Sequence, residues 1–251
     1  MQCTRAPVWR ARAARPAPFT RRLTARVRAS AGGKMPSYKL YYFALPGRGE
    51  VARLCCALGK LELEDMRFSF EEWQKHKPSM PLGQVPVLEV DGKMLAQSAA
   101  IDRYLAAEAG LVPKDPWHAA LSDQAYAFCN DLLQPLYDTF KIKDLDEKLK
   151  AREVAIAGPM KDKLALAAKL VEAAGDGFVG GPELSHGDLN LYTTLSVLVS
   201  GWMDGVPKTL LDDYPALKAY RNKVASDPRV KAYYEKADNQ DDIRVAFKPD
   251  A

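Results

Sequence analysis

Apolar positions change their period along the chain, and the changes divide it into parts. From Tyr38 to Phe43 apolar and aromatic residues form a short strand-like run, Pro46-Gly47 breaks it, and Glu50 to Leu58 takes helical spacing. Met66-Arg67-Phe68 reads as a second strand. Val87 to Val90 and Lys93 to Ala96 flank Asp91-Gly92, the dipeptide that suits a two-residue type I′ turn, so these two strands are expected to be antiparallel. Ser98 offers an N-cap to a helix from Ala99 to Ala109, which Gly110 and Pro113 end. Beyond Trp117 the strand signal vanishes. Leu121, Ala125, Phe128 and Leu132 recur at helical intervals, and Leu191, Leu195, Leu198 and Trp202 repeat that spacing on a segment apolar enough to be a central buried helix. Ser185 and Asp188, three apart just ahead of it, form a capping pair with a structural role. Pro207, Pro215 and Pro228 punctuate the last helices, and Asn239 to Ala251 reads as a charged tail with little to bury. The pattern predicts an α/β unit over 35–112, an all-helical unit over 117–240 and a tail over 241–251, with no internal repeat.

Composition changes this picture mainly at the N-terminus. Of 251 residues, 47% are hydrophobic and 27% charged, as in a soluble globular protein, and no apolar run approaches the roughly 20 residues that span a bilayer. The formal charge of +4 belongs to Met1 to Lys34, which carries eight Arg, one Lys and no acid; the remainder holds 27 basic against 32 acidic residues. That balance removes the usual electrostatic argument for nucleic-acid binding by the folded part, since a duplex partner demands a basic face. The leader's Arg, Ala, Ser and Thr composition, without a continuous apolar stretch, is that of a transit peptide over 1–34. Arg26 to Ala31 resembles the end of a plastid transit peptide, and mitochondrial presequences share most of these features. The chloroplast is the expected compartment, with the mitochondrion as alternative and the cytoplasm if translation starts at Met35. Cys3, the adjacent Cys55 and Cys56, and Cys129 match no zinc or disulfide spacing. His76, His118 and His186 are dispersed among unrelated segments, so no metal requirement is expected.

The strongest local signal is Val85-Pro86, just ahead of the Val87 strand, because proline belongs at a strand's beginning. A cis bond there would turn the Val85 backbone outward to a groove where an extended peptide can pair with it; a trans bond would be an ordinary turn. The segments MPSYKLYYF, GRGE, PLGQVPVLEVDG and AQSAAIDRYL follow in an order and at separations that resemble the glutathione transferase family, specifically the sigma-like class that includes glutathione-dependent prostaglandin isomerases. The resemblance covers Met35 to about Lys236 and is weaker in the helical half, where Ser185-His186-Gly187-Asp188 carries it. It implies a thioredoxin-like α/β N-terminal domain followed by an all-α C-terminal domain, a homodimer, and glutathione as co-substrate.

The resemblance also assigns residues. Tyr42 would give its hydroxyl to the glutathione sulfur and favour the thiolate, with Arg48 adding positive potential beside it. Trp73 and Lys77 would hold the glycine carboxylate, and Gln97 and Ser98 the γ-glutamyl carboxylate at a helix N-terminus. Gln84, Val85 and Pro86 would line the groove, and Asp131 would reach from the other subunit to the γ-glutamyl ammonium. An apolar pocket for a small hydrophobic electrophile is expected near Leu45 and Tyr137. The same residues suit bland roles: Tyr42 alternates with Tyr38 and Leu40 on one strand face, Ser98 caps a helix, and Arg48 and Asp131 are surface charges. Cys55 and Cys56 fall inside a predicted helix, where thiols pack. Thiolate conjugation is the expected activity. Glutathione-dependent isomerisation or peroxide reduction is its alternative, and a non-catalytic ligand binder stands outside both. The segment after Asp131 lacks the tryptophan that similar prostaglandin isomerases carry nearby.

Overall fold

The computed structural model describes residues 36–236, 239 and 241–250, so the expected transit peptide lies outside the described residues. Strand β1, Tyr38–Phe43, alternates buried and half-buried side chains, as the sequence pattern requires. Helix α1 is Glu50–Gly59, and β2 is Leu63–Phe68, three residues longer at its start than expected. The added residues Leu63, Glu64 and Asp65 pair in parallel with Tyr38, Lys39 and Leu40. Glu64 and Asp65 are polar, as an edge strand permits, so the added residues carry no apolar run. A short α2, Phe70–His76, precedes β3, Val87–Val90, and β4, Lys93–Ala96. The sheet order is β2-β1-β3-β4, with β3 antiparallel to both neighbours. Asp91 at φ 48° and Gly92 at φ 78° give the β3–β4 turn its two left-handed residues.

Helix α3, Ser98–Glu108, begins one residue earlier than expected and corrects the capping role of Ser98. The Gln97 carbonyl accepts from the N–H groups of Ala100 and Ile101, both at 3.0 Å, so Gln97 is the N-cap and Ser98 the first helical residue. Six further helices follow: α4, Pro116–Tyr137; α5, Leu145–Ala155; α6, Lys161–Ala173; α7, His186–Val199; α8, Pro215–Ala225; and α9, Pro228–Tyr234. Leu191, Leu195 and Leu198 of α7 are fully buried, but Trp202 lies beyond the helix end. Ser200 and Gly201, at φ 79°, end α7 and break the apolar spacing there. The Ser185–Asp188 cap is present: the Ser185 N–H donates to Asp188 Oδ2 at 2.7 Å, and Val179 N–H and the Tyr220 hydroxyl donate to Oδ1. One hydrophobic core runs from Leu40 and Leu54 through α4 and α7 to Val230.

The C-terminal segment is not a solvated tail. Phe247 is fully buried with its ring edge-on to Tyr192, and Arg244 is fully buried against α1. Arg244 Nη2 and Nε donate to the two carboxylate oxygens of Glu50 at 2.8 and 3.0 Å, and Arg53 Nη1 adds a contact to Glu50 at 3.2 Å. Both arginines also hold the loop after β1, Arg53 through the carbonyls of Phe43 and Leu45 and Arg244 through that of Ala44. The charges around Arg244 hide the segment's purpose in sequence, because each finds a specific partner instead of water. With the guanidinium groups of Arg244 and Arg53 beside it, the fully buried Glu50 carboxyl is held below its ordinary pKa. A lowered carboxyl stabilises the fold above its unfolded pKa, and that contribution is lost as pH falls through the folded value. Replacing Arg244 with Ala at neutral pH is expected to lower stability by about 3 kcal/mol, because half of a buried charge pair is removed. Urea denaturation checks this, and an unchanged midpoint would show that the segment is not part of the fold.

Candidate active site

Strand register gathers the expected residues at one end of the sheet. Tyr41 of β1 faces Val87 of β3, and Val87 faces Ala96 of β4. The residues just beyond, Tyr42 and Phe43, then Val85 and Pro86, then Gln97 and Ser98, therefore share that end. Phe43 also pairs with Phe68 at the end of β2, which brings α2 alongside. The Val85–Pro86 peptide is cis. Among the described residues neither the N–H nor the C=O of Val85 has a hydrogen-bond partner. Gln97 sits at φ 77°, a left-handed conformation that a side-chain-bearing residue adopts at a cost of about 1–3 kcal/mol.

A cavity of 460 Å³ opens beside this end, and Tyr42, Arg48 and Ser98 line it together with Leu45 and Tyr137. Tyr42 is the best-defined of the group. Its ring is buried, and its hydroxyl oxygen accepts from the Arg48 backbone N–H at 2.9 Å. Burial pushes the phenol up to about 12, with the Arg48 hydrogen bond opposing the rise, so the group is a neutral donor near pH 7. Tyr41 points to the other face, where its hydroxyl donates to Glu89 at 2.8 Å. The two glycines of the GRGE segment make room for Tyr42: a Cβ on Gly47 would lie 2.7 Å from its hydroxyl, and one on Gly49 would lie 2.5 Å from its ring. Only hydrogen at both positions lets the loop close over the ring. The Arg48 guanidinium lies 5.1 Å from the centre of the Tyr137 ring, at the cavity wall.

The remaining expected residues fall outside that wall. Trp73 is half-buried, stacked on Phe68 at 5.9 Å and edge-on to Phe43 at 6.0 Å, and Lys77 is exposed close to Gly83. Gln84 and Gln97 are exposed. Asp131 is exposed on α4, while its neighbour Asn130 lines the cavity. Cys55 and Cys56 are buried packing residues of α1, and desolvation raises both thiols, Cys56 to about 12. Among the described residues no three metal-ligating side chains converge.

One constellation resembles a nucleophilic triad: the Ser122 hydroxyl is 3.0 Å from His186 Nδ1, and His186 Nε2 is 2.9 Å from Asp123. It has no access to substrate. Ser122 is fully buried, and its hydroxyl donates to Ser185 and accepts from the Gly187 N–H. The cavity also contains residues the sequence did not flag. Trp202 brings an indole to the wall, edge-on to Phe140, from beyond α7; Asp102, Tyr126, Asn190, Thr193 and Thr194 supply polar lining from α3, α4 and α7.

Known proteins match both halves of the chain. The family model of the glutathione S-transferase N-terminal domain matches residues 38–107, and that of the C-terminal domain matches residues 130–237. The chain is 36% identical over 207 residues to probable glutathione S-transferase 7 of Caenorhabditis elegans, covering 80% of this chain and 97% of that protein. It is 34% identical over 208 residues to hematopoietic prostaglandin D synthase of Gallus gallus, again covering 80% and 97%. Among solved structures, prostaglandin synthase D of Nilaparvata lugens superposes with a TM-score of 0.72 at 32% identity, covering 80% of this chain and 98% of that one.

Proposed function

The chain belongs to the glutathione S-transferase family and is a transferase acting on glutathione, and from that premise we propose that the Tyr42 hydroxyl holds the glutathione sulfur as the thiolate. The observation that carries this reading is the Arg48 amide bound to the phenol oxygen. With that oxygen occupied as an acceptor, the phenol proton is left to point into the cavity. A neutral phenol there donates to sulfur and favours the thiolate over the thiol, lowering a thiol pKa from about 8.5 towards neutrality. The same phenol is too weak an acid to serve as the base, so the thiol proton leaves to solvent. Arg48 adds positive potential at the cavity wall.

The rest of glutathione is assigned along the sheet end. The free N–H and C=O of Val85, beside Gln84 and Pro86, suit antiparallel pairing with the cysteinyl backbone. Ser98, at the first turn of α3, has its hydroxyl and backbone N–H available for the γ-glutamyl carboxylate, with Gln97 beside it. Trp73 and Lys77 take the glycine carboxylate. The apolar cavity near Leu45 and Tyr137 receives a small hydrophobic electrophile. Asp131, exposed on α4, reaches the γ-glutamyl ammonium of the other subunit in a homodimer. Residues 1–34 act as a plastid transit peptide. A glutathione-dependent isomerase is the second reading, favoured by Trp202: an indole enters the cavity from beyond α7 even though the segment after Asp131 has none.

Tyr42→Phe is expected to fold normally, keep its glutathione affinity and lose about ten- to hundredfold in kcat/KM near pH 7, with partial recovery at high pH as hydroxide ionises the thiol. Unchanged turnover at neutral pH would sink the assignment. Asp131→Ala is expected to weaken glutathione binding in a protein that sediments as a dimer; a monomer with normal glutathione affinity refutes the shared site. For the leader, residues 1–34 fused to a fluorescent reporter should mark plastids. A mitochondrial signal would correct the compartment, and a diffuse signal from an uncleaved fusion would reject import.

A further inference from the structure

Asp102 is a buried carboxyl group on the cavity wall that the thiolate chemistry does not use. It stands on α3 one turn after Ser98, both side chains line the cavity, and Asp102 is 1% exposed. Its Oδ2 accepts from the Tyr126 hydroxyl at 2.6 Å, while Oδ1 has no hydrogen-bond partner. The Tyr126 hydroxyl also interacts with the Ser98 side chain. Tyr126 thus occupies Oδ2, whereas Oδ1 is a buried, unpartnered oxygen of a residue that lines the cavity.

A buried carboxylate with one bare oxygen would be costly, and no cation interacts with Asp102 among the described residues. The titratable groups around it are Tyr126 of α4 and Cys55 and Cys56 of α1, all of them neutral because burial raises each one. Desolvation pushes the Asp102 acid up to about 8, partly offset by the Tyr126 hydrogen bond. At pH 7 the group is therefore predominantly a neutral acid. Because Oδ2 already accepts a proton from Tyr126, the acid proton resides on Oδ1.

We propose that Asp102 is a specificity-determining residue for the second substrate, donating its Oδ1–H to the carbonyl oxygen of an α,β-unsaturated aldehyde or ketone. This rests on the reading of Tyr42 as the thiolate-holding group on the same cavity. As the sulfur bonds to the β-carbon, the C=C pair shifts towards the carbonyl and its oxygen becomes an enolate held by Asp102. The α-carbon then takes a proton from water, the C=O reforms, and the hydroxide left behind is neutralised by the proton released when the thiol ionised. Asp102 keeps its proton throughout. An aryl halide places no such oxygen beside its reacting carbon and gains less from the donor.

The test compares the full chain with Asp102→Asn and Asp102→Ala, measuring kcat/KM at saturating glutathione for trans-2-nonenal and for 1-chloro-2,4-dinitrobenzene. Both substrates use the same thiolate, so their ratio cancels its ionisation. In the native protein the enal-to-halide ratio is expected to fall about tenfold as pH rises from about 6.5 to about 9.5, because ionised Asp102 no longer donates. Asp102→Asn presents an N–H in the same place at every pH and should flatten that dependence while keeping the ratio high. Asp102→Ala should lower the ratio about tenfold already at pH 7. The same pH dependence in Asp102→Asn as in the native protein overturns the proposal, even if Asp102→Ala does not fold. A native protein that conjugates neither substrate overturns the conjugation reading itself, which separates the two failures.

Discussion

The ion cluster of Glu50, Arg53 and Arg244 is the constraint on which the active-site end depends. Three fully buried charged side chains are tolerable because the carboxylate is engaged by both guanidinium groups, which in turn bond to loop carbonyls and to Asp65 and Asp241. Those carbonyls belong to Phe43, Ala44 and Leu45, the segment that follows Tyr42 directly. The cluster thereby turns three irregular residues into a fixed support. Arg53 also lies 5.7 Å from the centre of the Tyr42 ring, and the packing is completed by the close approach of Gly47 and Gly49. A segment at the chain's far end thus helps to position the phenol at its first strand.

Sheet topology does the remaining assembly. Because β1 and β2 are parallel while β3 runs against them, the end of the first two strands, the start of the third and the end of the fourth coincide. Residues more than 50 positions apart in the chain therefore present backbone and side-chain groups along one line. The helical half adds the facing wall through α4 and α7, whose apolar stripes are shared with the core. In the proposed reading glutathione recognition is consequently a property of strand order, whereas acceptor choice depends on individual helix side chains.

That division explains how much could be read from sequence. β1, the β3–β4 hairpin, the Ser185–Asp188 cap and the helical half follow from period, turn chemistry and capping residues that act over a few positions. The start of β2 was not legible, because an edge strand with an exposed Glu64 and a half-buried, ion-paired Asp65 has no apolar run. The C-terminal segment was misread for a related reason: Arg244 looks solvated until Glu50, 194 positions away, is known to face it, and Asp241 in turn accepts from Arg244. Tyr42, Arg48 and Ser98 could be named from ordered motifs, and the cavity brings them together. Trp202 and Asp102 could not. The first resembled a continuation of a buried helix, and the second was a single acid inside AQSAAIDRYL whose significance lies only in what surrounds it.

Two opposite treatments of buried acids then account for architecture and chemistry in one molecule. Glu50 is flanked by cations, stays ionised and serves as an anchor. Asp102 and Tyr42 are desolvated without an equivalent counter-charge, so each retains its proton at neutral pH. An ionised anchor has its lone pairs committed to fixed partners and offers little to a ligand. A neutral acid with one side occupied, Tyr42 by the Arg48 amide and Asp102 by the Tyr126 hydroxyl, has its proton directed towards the remaining space. Both residues line the same cavity, so in the proposed reading the two donors are set before any substrate arrives. Preorganised donors of this kind stabilise negative charge as it develops, on sulfur at one wall and on an acceptor oxygen at the other, without having to reorient during the reaction.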